Sequence, residues 1–246
     1  MNITNKTVLV TGGGSGIGLE IAKLLSAKNN KVIITGRSEE KLQKAATGLI
    51  NVTAIASDIN NEASVNKLIA KIKADFGGLD ILINNAGQAY VYNLSDNAGA
   101  AEKGKAEFDT NFFSVLSLTE KLLPVLSASA EAAIVNVTSV LAIVPRHTLT
   151  TYSASKAALH FYTQALRFEL AKTTGIKVFE LMPPLVNTDF SKDIGGEKGI
   201  APSVVADDLI SAFENDEYEI HVGDTAYIHG LSLSSPADAF SAINAG

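Results

Sequence analysis

Thr7-Val8-Leu9-Val10-Thr11-Gly12-Gly13-Gly14-Ser15-Gly16-Ile17-Gly18 is the stretch that decides the fold. A short apolar, β-branched run passes straight into a glycine-rich turn, after which Ile17, Ile21, Leu24 and Leu25 recur at helical spacing. Moving outward, the same alternation repeats around Val32-Ile33-Ile34, Val52 to Ile55, Ile81-Leu82-Ile83, Ile134 to Val137 and Val178 to Leu181. These runs are continuous, not alternating, which predicts strands buried on both faces. Ser38 followed by Glu39 and Glu40 reads as a capped helix start with acids at its positive end. The pattern βαβαβα predicts an α/β fold: a doubly wound parallel sheet, Rossmann-like, in three layers, with a ligand crevice at the carboxyl ends of the strands.

With 246 residues the chain is expected to form a single domain over 1–246, large enough for a sizeable core. No cysteine is present, which excludes disulfides, thiolate nucleophiles and cysteine-ligated metals. The net charge of -6 is spread without a basic block, so nucleic acid is not an expected partner. No apolar run suits a membrane span and no leader pattern precedes Thr7, which predicts a cytoplasmic protein with no membrane partner. The segment 190–203, rich in glycine and mixed charge around Ser191 to Pro202, is expected to be a mobile substrate flap.

Glycines at a strand-to-helix turn let the backbone approach a pyrophosphate, whose charge is met by free N–H groups at the positive end of the helix. Gly12, Gly14, Ser15, Gly16, Ile17 and Gly18 are therefore candidate cofactor contacts, although the strict G-x-G-x-x-G spacing is absent and such a turn can also be a plain connection. At the end of the second strand, Thr35-Gly36-Arg37-Ser38 carries an arginine where a carboxylate would hold the ribose of NAD(H). Arg37 thus favours NADP(H), with NAD(H) as the alternative and a solvated loop cation as the competing account. Asp58 closes the third strand, where it either accepts from the adenine amine or caps the next helix.

Tyr152-Ser153-Ala154-Ser155-Lys156 places a phenol and an ammonium on one face of a helix. A neighbouring cation favours the phenolate, so a downward pKa shift is expected to make Tyr152 a usable acid or base. Ser139, at the end of the fifth strand, can hold a substrate oxygen or cap a turn. No G-x-S-x-G elbow surrounds it, and His147, His160, His221 and His229 show no zinc-binding spacing, so hydrolysis and a metal site are not expected.

Together the motifs closely resemble the short-chain dehydrogenase/reductase family over about Lys6 to Asp189: TGGGSGIG at Thr11 to Gly18, NNAG at Asn84 to Gly87, Asn111, Ser139 and YSASK at Tyr152 to Lys156. The resemblance implies an oxidoreductase acting on a small carbonyl or alcohol, with Tyr152 as general acid/base and Ser139 orienting the substrate oxygen. Lys156 would bind the nicotinamide ribose and Asn111 would hold a water in a proton relay. Ile59, Asn84, Ala86, Gly87, Val186 and Thr188 would join Arg37 and Asp58 around the cofactor. Tyr90, Tyr92, Leu141, Arg146 and His147 are candidate pocket residues. Two departures stand out: Pro183-Pro184 replaces the family's Pro-Gly, and the C-terminal stretch from Tyr218 lacks the usual I-T-G…D-G-G ending. That ending supports a tetramer interface, so a homodimer through the helices of Asn111 and Tyr152 is expected, with a homotetramer as the alternative. The PPLVNT stretch and this ending look more like the oxidoreductases associated with D-alanylation of lipoteichoic acid. A non-catalytic NADP(H)-sensing protein of the same fold is the functional alternative, against which the intact tetrad counts.

Overall fold

The strands are β1 (Thr7–Thr11), β2 (Lys31–Gly36), β3 (Val52–Ala56), β4 (Ile81–Asn84), β5 (Ala133–Val137), β6 (Lys177–Met182) and β7 (Glu219–His221), in a computed structural model that describes residues 1–245. The helices are α1 (Gly16–Ala27), α2 (Glu39–Ala46), α3 (Glu62–Lys71), α4 (Ala100–Phe108), α5 (Ser114–Leu126), α6 (Thr150–Thr173), α7 (Pro202–Asn215), α8 (Thr225–Ser234) and α9 (Pro236–Asn244). All strands join one parallel sheet in the order β3-β2-β1-β4-β5-β6-β7. The order reverses between β1 and β4, so the segments leaving these neighbours diverge and open a crevice at their carboxyl ends.

Alternate strand residues serve opposite layers, which explains the continuous apolar runs. Val8 and Val10 pack with Ile21, Leu25, Leu209 and Phe213 of α1 and α7. Leu9, Leu82 and Ile134 pack with Leu68, Leu118, Leu122 and Leu170 of α3, α5 and α6. β3 departs from the expectation of two-sided burial, because it is an edge strand whose residues are only partly covered. β7 is the opposite edge and has no counterpart among the apolar runs, since Ile220 is its one fully buried residue.

α4 and α5 are joined by a π-helical turn, Asp109–Phe113, that contains Asn111. Such turns carry an extra residue per turn and redirect side chains, often at functional sites. The segment expected as a flap consists of two short 3-10 turns, Asp189–Ile194 and Gly196–Lys198. Its base is closed by the Val186–Ile200 bridge, with Ile200 N–H donating to Leu185 O at 3.0 Å. At the C-terminus, α8 and α9 pack Ile228 and Ala239 against Val140 and Val144 of the loop after β5. Among the described residues no helix is long and apolar enough to cross a membrane.

Candidate active site

The crevice is built first by a clasp between the segments after β1 and β4. Thr11 Oγ1 accepts from the backbone N–H of Asn85 at 3.0 Å and of Ala86 at 3.1 Å. Asn85 Nδ2 returns a bond to Thr11 O at 2.9 Å. The glycine turn has no room for side chains here. Gly12 and Gly16 take φ of 65° and 53°, the left-handed region that favours glycine, and a Cβ on Gly16 would sit 3.0 Å from Thr188 Cγ2. Ser15 is the N-cap of α1 but makes no side-chain cap bond, and Ser15, Gly16 and Ile17 at this helix start line the crevice.

The cleft encloses about 750 Å³ and is bordered at the turn by Gly12, Gly14, Ser15, Gly16 and Ile17. Arg37, Asp58, Ile59, Ala86, Gly87, Val186 and Thr188 line it as expected from the sequence. Thr35 Oγ1, buried at the end of β2 and on the same wall, has no partner in the fold. A turn in which Gly12 and Gly16 leave no easy room for a Cβ, a helix N-terminus and an orphaned hydroxyl fit a dinucleotide.

Two expected cofactor residues are placed elsewhere. Asn84 points into the helix layer, where its Nδ2 donates to Asn136 Oδ1 at 2.9 Å and to Thr119 Oγ1 at 3.3 Å. Strand alternation gives the cleft side to Asn85 instead. Gly18 is buried beneath the turn, where a Cβ would lie 2.5 Å from Asn85 Nδ2, so it permits close packing and does not line the cleft. Asp58 does not cap α3; that role belongs to Asn61, and Asp58 Oδ1 accepts from Asn60 N at 2.9 Å. Among the pocket candidates, Tyr90, Leu141 and Arg146 line the cleft. Tyr92 does not, since it is buried with its hydroxyl 2.6 Å from Thr151 Oγ1. His147 is turned out onto Asn244 Oδ1 at 2.9 Å.

At the far end of the cleft, Tyr152 and Lys156 lie one turn apart on α6, with Lys156 Nζ 5.8 Å from the phenol ring centroid. Ser139 and both of these residues line the cleft, and Phe190 reaches over from the flap to 6.1 Å from the Tyr152 ring. Lys156 Nζ donates to Val137 O at 2.8 Å. Burial pushes the Lys156 ammonium down to about 8, opposed by the charge of Glu180. The expected downward shift of the phenol is reversed. Burial holds Tyr152 above its ordinary value, with the Ser139 hydroxyl pulling the other way and the Glu107 charge adding to the rise. Desolvation penalises the phenolate more than the Ser139 hydroxyl can repay.

Asn111 does not reach the cleft wall. It is fully buried in the π turn, where Oδ1 accepts from Gln88 N at 2.8 Å while Nδ2 donates to Gln88 O at 2.8 Å and Ser155 Oγ at 2.9 Å. Ser155 in turn donates to Tyr152 O at 2.7 Å, so Asn111 clamps the segment after β4 to the helix of the phenol.

Two buried carboxylates complete the surroundings. Glu107 accepts from Tyr90 N at 2.7 Å and from Thr151 Oγ1, and burial raises its pKa. Glu180 accepts from Thr138 Oγ1 at 2.7 Å and meets His160 Nδ1 at 2.9 Å. A carboxylate inside the apolar run Val178 to Leu181 was the visible signal for Glu180; Glu107, in a polar helix, offered none.

A family model described as short chain dehydrogenase matches residues 6–199. An uncharacterised oxidoreductase of Bacillus subtilis, DltE, is 36% identical over 200 residues, covering 81% of this chain and 79% of its own. A short chain dehydrogenase of Burkholderia cenocepacia in complex with NADP superposes with a TM-score of 0.85 at 28% identity, covering 98% of each chain. A short chain dehydrogenase/reductase of Burkholderia phymatum in complex with NAD gives 0.86 at 20% identity, covering 95% of this chain and 96% of that one. The residues that build the clasp, the cradle and the Tyr152–Lys156 face all lie inside the matched region, and the chain belongs to the short-chain dehydrogenase family.

Proposed function

We propose that the protein is an NADP(H)-dependent oxidoreductase that interconverts a carbonyl and a secondary alcohol, with Tyr152 as general acid/base. The observation that carries this reading is the convergence of Tyr152, Ser139 and Lys156 on the cleft that the glycine turn also borders. When bound, the nicotinamide supplies or accepts the hydride. The pyrophosphate would rest on Ser15 to Ile17 and the 2′-phosphate beside Arg37, whose exposed guanidinium forms no ion pair among the described residues. Preference for NADP(H) rests on that guanidinium, and NAD(H) is the alternative it would disfavour.

In the reducing direction the Tyr152 phenol, kept protonated by burial, donates to the oxygen that gains charge, while the Ser139 hydroxyl holds the same oxygen. The Lys156 ammonium lies close enough to stabilise the phenolate left behind. Asn111 acts as the clamp that keeps this helix in register with the loop after β4. A proton donor of this kind contributes about 10²- to 10⁴-fold. Tyr152→Phe should therefore lower kcat with a panel of aldehydes, ketones and quinones by that amount while NADPH still binds, as followed by fluorescence titration. Equal rates in both proteins reject the acid/base assignment.

A further inference from the structure

The chain has three arginines, and among the described residues only Arg167 bonds through its side chain. Arg167 places Nη1 on Glu219 at 2.7 Å, Nε on Val178 O at 2.9 Å and Nη2 on Tyr218 O at 3.1 Å. Arg37 and Arg146 form no ion pair among the described residues, and both line the cleft. Arg37 stands at the end of β2. Arg146 belongs to the opposite end, where its backbone N–H donates at 3.3 Å to Ser153 Oγ, the neighbour of Tyr152.

Arg146 is partly buried, and its Nε is sealed from solvent with no acceptor. A charged donor left in that state costs free energy that nothing in the fold relieves. Its backbone is held on both sides. Asn244 Nδ2 donates to Pro145 O at 3.0 Å, His147 N donates to Asn244 Oδ1 at 2.8 Å, and Leu149 N donates to Arg146 O at 3.0 Å. The guanidinium is thus presented by a fixed loop. Leu141, Leu149 and Ile243 give the neighbouring wall an apolar character, and Lys103 adds one more cation to the cleft. Asp58 and Asp193 also line it, and neither pairs with Arg146.

We propose that Arg146 is an anion-binding residue for the substrate, and that the carbonyl compound handled at Tyr152 carries a carboxylate. The planar guanidinium fork matches a carboxylate through two parallel bonds. This rests on the reading that Tyr152 marks the substrate end of the cleft.

The test compares pyruvate, levulinate and benzoylformate, each beside its methyl ester, with NADPH as reductant, for wild type, Arg146→Gln and Arg146→Lys. Since the Arg146 side chain bonds nothing among the described residues and its sealed Nε is a cost to the fold, Arg146→Gln should melt no lower than wild type. The acid-over-ester ratio of kcat/KM should fall about 10- to 100-fold in Arg146→Gln, with Arg146→Lys in between. In parallel, calorimetric titration of the acids into the NADPH complex of Tyr152→Phe should show binding that Arg146→Gln removes. Acids that bind through Arg146 yet are not reduced would uphold the anion site and count against the hydride-transfer reading. Ester reduction with no dependence of the ratio on Arg146, or no binding of any of the acids to the NADPH complex of Tyr152→Phe, overturns the anion site.

Discussion

Arg37 bears on the cofactor through one exposed guanidinium, so its effect should be selective and not structural. Ser38 caps α2 by accepting from Lys41 N at 3.3 Å, which anchors the backbone beside it, and Lys41 lines the same end of the cleft. Arg37→Ala should therefore leave NADH binding unchanged and weaken NADPH binding about 10- to 100-fold, the range of a charge-assisted bond to phosphate. Fluorescence titration of both nucleotides into both proteins gives the ratio directly, and an unaltered ratio would return Arg37 to the solvent. At this scale the position on the cleft of the glycine turn, Arg37 and the Tyr152–Lys156 pair was legible, because it depends only on residue type and local spacing. Asn84 and Asn85 were not separable in the same way. They differ by the phase of the strand, and only packing shows which faces the cleft. The pKa of Tyr152 was equally hidden, since desolvation depends on what the rest of the chain places around the ring.

At the scale of elements, α6 presents Tyr152, Lys156, His160 and Gln164 at successive turns, and β6 runs beneath with Glu180 buried. Glu180 holds Thr138, which lies between Val137, the acceptor of Lys156, and Ser139. One carboxylate thus secures the strand end that positions two of the proposed reacting groups. The bond and charge of Glu180 raise the pKa of His160, with Glu219 of β7 adding and Arg167 of α6 opposing. A raised histidine pKa stabilises the fold below its ordinary value near 6.5, and that stabilisation fades as pH rises through the folded value. Glu180→Gln should therefore cost most stability at the acid end of this window and progressively less above it, as read from urea midpoints between about pH 5 and 9. The same change removes the charge that opposes burial at Lys156, so its pKa should fall further below about 8. A stability difference independent of pH would deny the pair. The strands and helices around this network followed from periodicity, while the π turn at Asn111 did not, because a single extra residue leaves an apolar helix pattern nearly unaltered.

Over the whole molecule, the doubly wound parallel sheet followed from strand and helix alternation, whereas the strand order, the edge strand β7 and the placement of α8 and α9 depended on tertiary contacts that no local run announces. What the single chain leaves uncovered is also informative. Phe113 and Leu116 by the π turn and α5, and Phe161 and Phe168 on α6, are 53%, 36%, 71% and 67% exposed. Phe112 of the π turn meets Tyr162 of α6 with ring centroids 6.1 Å apart, which packs the start of α5 beside α6. Apolar patches of this kind mark association surfaces, and a stable one buries about 1,000 Å² or more. We propose that α5 and α6 pair with their copies in a homodimer. A second set, Tyr227, Leu233 and Phe240, is exposed on α8 and α9 at the C-terminal end. Two patches predict two distinguishable outcomes for the double variant Phe161→Glu and Phe168→Glu in sedimentation equilibrium. A wild-type dimer should fall to a monomer, because desolvating two carboxylates against an apolar partner costs more than the contact returns. A wild-type tetramer should fall only to a dimer, with α8 and α9 as the surviving interface. A variant that keeps the wild-type mass removes the α5–α6 face from the assembly, and the same holds if the wild type sediments as a monomer.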